Sequence, residues 1–206
     1  MKRVLKTKIK LPNDRLRYPL TKSISLIGLM GSGKTTVGVR LARKLGLSFV
    51  DSDAEIEIAA DHTISEIFEK YGEEDFRRGE RDVISRLISD QPNVLGTGGG
   101  AFMNGETRKR LIDKTITVWL KTDIDHLVER TSRRNTRPLL RDGNPEEILR
   151  NLAKIRYPIY GQAAITIETG TEPHEKVVND IIRKLNQYLA PPKDPEKNKE
   201  KNKAAN

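Results

Sequence analysis

A glycine-rich segment at residues 28–35, GLMGSGKT, constrains the fold of this chain more than any other feature. An apolar run at residues 23–27 precedes it, and residues 36–45 follow with apolar side chains at helical spacing. In such a strand, loop and helix, the glycines let backbone N–H groups point at phosphate oxygens, and the helix N-terminus adds positive potential. Lys34 supplies a charge for the β- and γ-phosphates, and the Thr35 hydroxyl suits Mg²⁺. We therefore predict a nucleoside triphosphate site formed by Gly31, Ser32, Gly33, Lys34, Thr35 and Thr36.

Short apolar runs alternate with amphipathic helical stretches along most of the chain, a pattern typical of a parallel sheet with crossover helices. We predict an α/β fold with a five-stranded parallel sheet flanked by helices, the strands lying at residues 23–27, 48–50, 94–97, 115–120 and 164–167. A chain of 206 residues is long enough for one ordinary domain. This domain is predicted at residues 23–189, between a basic N-terminal extension (1–22) and a low-complexity tail (190–206).

Two segments between these strands have features that suit substrate binding. After the second strand, a capping box at Thr63 and Glu66 begins a helix to Tyr71, and a second helix is predicted at residues 73–89. This long insertion is a candidate cap over the carboxyl ends of the strands, where open α/β sheets bind ligands. Residues 132–144 are rich in charged and turn-forming residues, and they are predicted to form a mobile lid.

The formal net charge of +9 is concentrated in the two flanks. Residues 1–22 hold eight Lys or Arg residues against one Asp, and residues 190–206 hold five Lys against three acidic residues. The remainder is balanced, so a basic nucleic-acid groove in the folded body is not expected. The chain has no Cys, which excludes disulfides and thiolate metal sites and suits a reducing compartment. With no membrane-length apolar run and no secretory leader pattern, we predict a cytoplasmic protein.

Two carboxylates, Asp51 and Asp53, follow the second predicted strand. Because parallel strands present their carboxyl ends at one edge of the sheet, both are expected near the phosphate loop. One carboxylate suits Mg²⁺, and the other can accept the proton of a hydroxyl that attacks phosphorus. The alternative is a solvated loop, or a cap for the helix that begins near Ala54.

Arg77 and Glu80 share one face of the helix predicted at residues 73–89. Arg77 can grip an anionic substrate through its guanidinium fork while Glu80 holds the guanidinium in place. The alternative is an ordinary exposed ion pair at this spacing. Three consecutive glycines at 98–100 follow the third strand, and they allow either close backbone approach to a ligand or a flexible turn.

Several arginines lie in or beside the predicted lid: Arg130, Arg133, Arg134, Arg137 and Arg141. A guanidinium on a moving loop can stabilise charge on a transferring phosphoryl group, and closure keeps water out. The alternative is a solvated basic loop. Histidines without metal-ligand spacing are predicted at the surface: His62, His126 and His174. Trp119, in the fourth strand, is predicted to be a packing residue.

Taken together, these motifs resemble the shikimate kinase family over about residues 23–189. The resemblance is carried by GLMGSGKTT from residue 28, DSD at 51–53, FRRGE at 76–80, GGG at 98–100, RPLL at 137–140 and Arg156 before Tyr157 and Pro158. The family implies a P-loop kinase fold, shared with nucleoside monophosphate kinases, with substrate-binding helices and a mobile lid. It also implies ATP- and Mg²⁺-dependent phosphorylation of the 3-hydroxyl of shikimate, on the route to chorismate and the aromatic amino acids.

The resemblance further implies roles for individual residues. The catalytic residues would be Asp53 as the base, Lys34, and Arg137 as the lid arginine near the transferred phosphate. The residues that support Mg²⁺ would be Thr35 and Asp51. Shikimate would be bound by Asp53 at its hydroxyl groups, by Arg77 and Arg156 at its carboxylate, and by a pocket wall of Gly98, Gly99 and Gly100. The residues that flank adenine would be Arg130 and Pro173.

Three other interpretations of the sequence stay open at this point. A related kinase for gluconate or a nucleotide would share the phosphate loop, but it would need other acceptor contacts. The basic flanks suggest an ATP-controlled nucleic-acid binding protein. A kinase-like body retained only for interaction is the third alternative, although none of the expected catalytic residue types is missing. The motifs favour ATP and shikimate as partners, without nucleic acid or membrane, and we expect a monomer.

Overall fold

The structure of the chain is a computed structural model that describes residues 15–88, 91–132 and 144–191. Its centre is a five-stranded sheet in the order β2-β3-β1-β4-β5, in which all neighbours run parallel. The strands are β1 (Ser23–Ile27), β2 (Phe49–Asp51), β3 (Val94–Gly96), β4 (Thr115–Thr122) and β5 (Ile165–Thr169). The predicted α/β fold is confirmed, and the predicted strand limits hold within two residues.

Seven helices lie within the described ranges and cover both faces of the sheet. They are α1 (Lys34–Leu45), α2 (Ser52–Ala60), α3 (Ile64–Leu87), α4 (Gly105–Lys114), α5 (Ile124–Ser132), α6 (Pro145–Tyr160) and α7 (His174–Tyr188), with a short 3₁₀ turn at Ala101–Met103. One apolar cluster packs α1 and α7 on one sheet face, and a second packs α3, α4, α5 and α6 on the other. β1 is buried along its whole length because it is the middle strand of the sheet and helices cover both faces of the sheet.

The insertion between β2 and β3 forms the predicted pair of helical segments around a bend. α3 bends at Gly72, whose φ of 79° and ψ of 175° are not helical, so the two predicted helices are joined end to end. The capping box of Thr63 and Glu66 is present at its start. A separate apolar cluster of Ile56, Ile67, Phe76 and Val83 joins α2 to α3. This insertion therefore has its own small core beside the sheet.

The segment before β1 also contacts the folded body. Leu16 and Leu20 pack against the apolar cluster of α1 and α7. The Arg17 backbone N–H donates to Asn186 Oδ1 (2.7 Å), and the Asn186 side-chain amide donates to the Arg15 carbonyl (2.8 Å). The last residues of the predicted N-terminal extension are thus tied to the C-terminal half of α7.

Two further predictions concern the periphery of the molecule. Most of the predicted lid, together with Arg133, Arg134, Arg137 and Arg141, lies outside the described residues. Across residues 15–88, 91–132 and 144–191, no helix has the length and apolar character needed to cross a membrane.

Candidate active site

A crevice of about 370 Å³ lies at the carboxyl ends of the central strands. This edge is where a parallel sheet with helices on both faces receives its ligands. The crevice is lined by Gly31, Gly33, Lys34, Thr35, Thr36, Asp51, Asp53, Thr97, Gly99, Arg130, Thr131 and His174. Most of the residues predicted to bind a nucleotide or metal, and two of those predicted to bind an acceptor, therefore share one opening.

The phosphate loop leads into α1, whose N-cap residue is Gly33 and therefore offers no side chain to accept a backbone N–H. Gly31 and Gly33 have φ values of 80° and 89°, which residues with a Cβ rarely adopt. α1 has no side-chain cap and no acidic residue in its first turn, whereas α2, α3, α4 and α6 each begin with a side chain that accepts a backbone N–H. The positive potential of this helix N-terminus therefore suits an anion.

Lys34 and Ser32 complete the loop. The Lys34 ammonium donates to the carbonyls of Gly28 (2.8 Å) and Leu29 (3.0 Å), which holds the charge inside the loop. Ser32 is buried, and its hydroxyl has no hydrogen-bond partner within the described ranges. Buried polar groups are normally paired, so an unpaired hydroxyl in a glycine loop fits a site that receives a polar ligand.

Asp51 uses its two carboxylate oxygens for two different contacts. Oδ2 accepts a hydrogen bond from the Thr35 hydroxyl (2.9 Å), and Oδ1 accepts one from the Asp53 backbone N–H (3.1 Å). The second contact caps α2. The sequence offered a metal-side role and a helix cap as alternatives, and the geometry of Asp51 is compatible with both. A hydroxyl and a carboxylate are hard oxygen ligands, so this pair suits Mg²⁺.

Arg77 forms an ion pair that is buried at one end. Its Nη1 donates to Glu80 Oε2 (2.8 Å), and its Nη2 lies 3.1 Å from Glu73 Oε1. The Glu80 side chain is only 1% exposed, which contradicts the alternative of an ordinary exposed pair. Burial raises the pKa of Glu80, and Asp53 adds to this effect, while Arg77 and Arg156 oppose it. Burial also acts to lower the pKa of Arg77, but Glu80 and Glu73 outweigh it and the pKa is raised.

The three glycines after β3 lie against the side chains that are predicted to bind the acceptor. A Cβ on Gly98 would lie 2.5 Å from Asp53 Oδ1, and a Cβ on Gly100 would lie 2.6 Å from Arg77 Nη2. A Cβ on Gly99 would lie 3.5 Å from Arg156 Nη1. Close packing of the Asp53 and Arg77 side chains therefore accounts for the glycines at the first and last of these positions. Close approach to a ligand stays a prediction.

Two hydrogen bonds fix this glycine segment to neighbouring elements. Arg156, on α6, donates from Nη1 to the Gly99 carbonyl (2.9 Å). The Gly98 N–H donates to the buried hydroxyl of Ser52 (3.0 Å), in the first turn of α2. Arg77, Arg156, Asp53 and the glycines thus form one cluster, the predicted acceptor side. Of these residues, Asp53 and Gly99 line the same crevice as the phosphate loop.

The third side of the crevice is formed by α5 and the start of α7. Arg130 lines the crevice and donates from Nη2 to the Gly170 carbonyl. Pro173 is the residue before α7, and His174 directly after it lines the crevice. Burial lowers the pKa of His174, with smaller contributions from Arg40 and Arg130. The sequence placed His174 at the surface; its position next to Pro173 was the signal that was available.

One predicted site residue cannot be placed. Arg137, the predicted lid arginine, lies outside the described residues.

Trp119 is 6% exposed within the second apolar cluster, in agreement with its predicted packing role.

Comparison with known proteins gives a consistent result. The family model described as Shikimate kinase matches residues 30–186. Among curated relatives, the shikimate kinase of Caulobacter vibrioides is 51% identical, over 86% of this chain and 89% of its own length. The shikimate kinase of Bartonella henselae is 46% identical over 97% of this chain and 92% of its own, so that alignment extends into both flanks.

Solved structures support the same family. A shikimate kinase from Acinetobacter baumannii in complex with shikimate has a TM-score of 0.78 and 44% identity, covering 81% of this chain and 93% of that one. A gluconokinase from Sinorhizobium meliloti, with a TM-score of 0.56 and 19% identity over 84% of this chain and 97% of that one, shares only the fold. By its sequence, its sheet and the residues of its crevice, the chain belongs to the shikimate kinase family.

Proposed function

We propose that this chain transfers the γ-phosphoryl group of ATP to the 3-hydroxyl of shikimate, giving shikimate 3-phosphate and ADP. One observation carries the proposal: Asp53 and Gly99 line one crevice with the phosphate loop, and the guanidinium groups of Arg77 and Arg156 lie against the same glycine segment. The membership of the shikimate kinase family supports the same reaction. A relative with 44% identity has been solved with shikimate bound.

On the nucleotide side, the backbone donates most of the contacts. The N–H groups of the loop and of the first turn of α1 bind the phosphates. The Lys34 ammonium exchanges its hydrogen bonds to the Gly28 and Leu29 carbonyls for contacts with the β- and γ-phosphates, whose charge it neutralises. Thr35 and Asp51 support Mg²⁺, which, when bound, neutralises charge on the phosphates. The adenine lies between Arg130 and Pro173. This assignment comes from the family pattern, as does the role of Arg137 near the transferred phosphate.

On the acceptor side, side chains donate most of the contacts. The guanidinium forks of Arg77 and Arg156 bind the carboxylate of shikimate, with Glu80 holding Arg77 in place. The glycines at 98–100 allow the substrate ring to approach the backbone. Asp53 accepts hydrogen bonds from shikimate hydroxyls, which orients the 3-hydroxyl toward the γ-phosphate.

The transfer step needs a proton acceptor and a route for the leaving group. As the bond between the 3-oxygen and the γ-phosphorus forms, the Asp53 carboxylate accepts the hydroxyl proton. The bond from the γ-phosphorus to the bridging oxygen breaks, and ADP leaves with that oxygen. The donors of the loop and Lys34 stabilise the charge that develops on it.

A coupled assay of ADP release tests the proposed function. We expect ADP formation that requires both shikimate and Mg²⁺, together with shikimate 3-phosphate detected by mass spectrometry. Gluconate and nucleoside monophosphates are tested as acceptors in the same assay, because they represent the related kinases. Turnover with either of these and none with shikimate would contradict the proposal.

The compartment and the oligomeric state are separate proposals. We expect the protein in the cytoplasm and as a monomer. Fractionation of cells and light scattering of the purified protein test these two expectations.

A further inference from the structure

Tyr160 is a buried residue close to the acceptor side that the proposed reaction leaves without a role. Its side chain is fully buried at the C-terminal end of α6. Its hydroxyl donates a hydrogen bond to the Gly99 carbonyl. Arg156, one helical turn earlier, donates to the same oxygen. Two side chains of one helix thus converge on a single peptide group of the glycine segment.

That peptide group lies at the junction of the two halves of the crevice. A Cβ on Gly99 would be 3.7 Å from the Gly28 carbonyl oxygen and 3.7 Å from the Met30 backbone nitrogen, both in the phosphate loop. It would also be 3.5 Å from Arg156 Nη1. This peptide therefore lies between the Arg156 guanidinium on one side and the phosphate loop on the other.

Aromatic packing fixes the direction of the Tyr160 hydroxyl. Its ring makes edge contacts with Trp119 (5.9 Å between centroids) and with Phe102 (6.3 Å). The Tyr157 ring lies 6.4 Å away. Burial raises the pKa of Tyr160, so the phenol keeps its proton and remains a donor at neutral pH. The hydrogen bond to Gly99 is thus held by the packing of the ring.

A purely structural reading is that the phenol only satisfies its own hydrogen-bonding requirement in the core. The neighbouring Tyr157 offers a direct comparison. It is half-buried on the same helix, it contacts Trp119, and its hydroxyl donates to a backbone carbonyl, that of Thr122 (2.9 Å). Thr122 belongs to β4 and does not line the crevice. Both tyrosines therefore donate a hydrogen bond from the phenol to a backbone carbonyl, and they differ in which carbonyl accepts it.

We propose that Tyr160 is a positioning residue that fixes the Gly99 peptide, and through it the Arg156 guanidinium, for the carboxylate of the acceptor. Without the phenol hydroxyl, Arg156 is the one remaining side-chain donor to this carbonyl among the described contacts. The Gly99 carbonyl is then free to rotate, and the Arg156 guanidinium moves with it. The two N–H groups of the guanidinium fork are then no longer aligned with the two oxygens of a carboxylate. This inference rests on the function proposed above.

The variant Y160F tests this role, with Y157F as the matched control. Both remove one phenol oxygen and keep the ring, so both are expected to fold with similar small losses in Tm. We expect Y160F to raise the KM for shikimate about tenfold, while kcat and the KM for ATP stay within about twofold. Y157F should leave all three constants within about twofold. An unchanged KM for shikimate in Y160F, or an equal rise in Y157F, would overturn the proposal.

A double-mutant cycle separates an action through Arg156 from a general loosening of the core. In the background of R156A, where the guanidinium is already absent, Y160F should cause little further rise in the KM for shikimate. Independent, multiplicative effects of the two changes would refute the coupling. The wild-type protein is measured first: no shikimate-dependent turnover there is a failure of the proposed function, whereas normal wild-type turnover with an unaffected Y160F refutes only the role of Tyr160.

Discussion

The two halves of the crevice are built in different ways. The phosphate side comes from consecutive residues, a glycine loop followed by a helix whose first N–H groups have no side-chain cap. The acceptor side comes from four distant segments: Asp53 on α2, Arg77 on α3, Arg156 on α6 and the glycines after β3. On the first side backbone N–H groups are the main donors that a ligand would meet, and on the second side the proposed contacts are made mostly by side chains.

This difference determines how each half responds to change. Apart from its glycines at positive φ, a backbone cradle depends little on the side chains that form it, so we expect Lys34 to be the most sensitive side chain on the phosphate side. The acceptor side depends on a chain of contacts in which Glu80 holds Arg77, and Gly98, Gly99 and Gly100 leave room for neighbouring side chains. We therefore expect mutations on the phosphate side to reduce kcat, and most mutations on the acceptor side to raise the KM for shikimate.

The largest effect is expected for Lys34→Ala. Removing the ammonium leaves charge on the transferring phosphoryl group without its main side-chain counter-charge, so kcat should fall about a thousandfold. Steady-state kinetics with both substrates measure this. Lys44→Ala is the control, because it removes the same charge from the other end of α1, where Lys44 pairs with Glu175. A fall in kcat of less than tenfold for Lys34→Ala, or an equal fall for the control, would contradict the expectation.

Asp53→Asn should have the next largest effect, and it is the expected exception on the acceptor side. The amide can still hydrogen-bond to a hydroxyl but cannot take its proton, so kcat should fall about a hundredfold with little change in the KM for ATP. Asp61→Asn, at the opposite end of the same helix, should leave kcat unaltered. Full activity of Asp53→Asn would remove the proton acceptor from the mechanism.

Arg77→Lys tests the guanidinium fork without leaving a buried charge unpaired. Arg77→Ala would strand the buried Glu80 carboxylate, which is strongly destabilising, whereas a lysine keeps a positive charge beside it. Lysine cannot make a two-pronged contact, so the KM for shikimate should rise about tenfold while kcat changes much less. The control is Arg78→Lys, because Arg78 makes an exposed pair with Asp75. If both variants bind shikimate equally well, the fork has no role.

The smallest effects are expected from a pair of glycine substitutions. In Gly100→Ala the new methyl would lie 2.6 to 2.9 Å from the Arg77 guanidinium, which must move, so the KM for shikimate should rise about threefold to tenfold. Gly79→Ala, in the middle of α3, meets no atom within 4 Å. It should increase the free energy of unfolding by about 0.5–1 kcal/mol and leave the kinetics unchanged. Denaturant unfolding and kinetics of both variants test this; a normal KM in Gly100→Ala would argue against close packing at this position.

The sequence predicted the local parts of this molecule well. The strand limits, the capping box of Thr63 and the loop before α1 each depend on neighbouring residues, which propensity and pattern describe. The order of the strands was not predictable in this way, because it depends on which crossover passes over which strand. The docking of residues 15–22 on α7 was missed for a similar reason, since Leu16 and Leu20 are two apolar residues in a basic segment.

For the site, residue types were predictable and contacts were not. The motifs identified Asp51, Arg77 and the glycine segment, yet each had two interpretations because burial is not visible in spacing. Glu80 is buried where α3 packs against the segment after β3. The role proposed for Tyr160 had no local signal: a tyrosine four residues after Arg156 acquires meaning only when Gly99 comes to lie beside it.

The contact between residues 15–17 and Asn186 has a practical consequence for engineering. It brings the beginning and the end of the described body side by side at one pole of the molecule. α7 starts at the crevice with His174, and Asn186 lies twelve residues further along it, so this pole is about 18 Å from the start of α7. A short linker could therefore join the two ends in a circularly permuted enzyme, or a surface anchor could be attached there, with the opening left clear for its ligands.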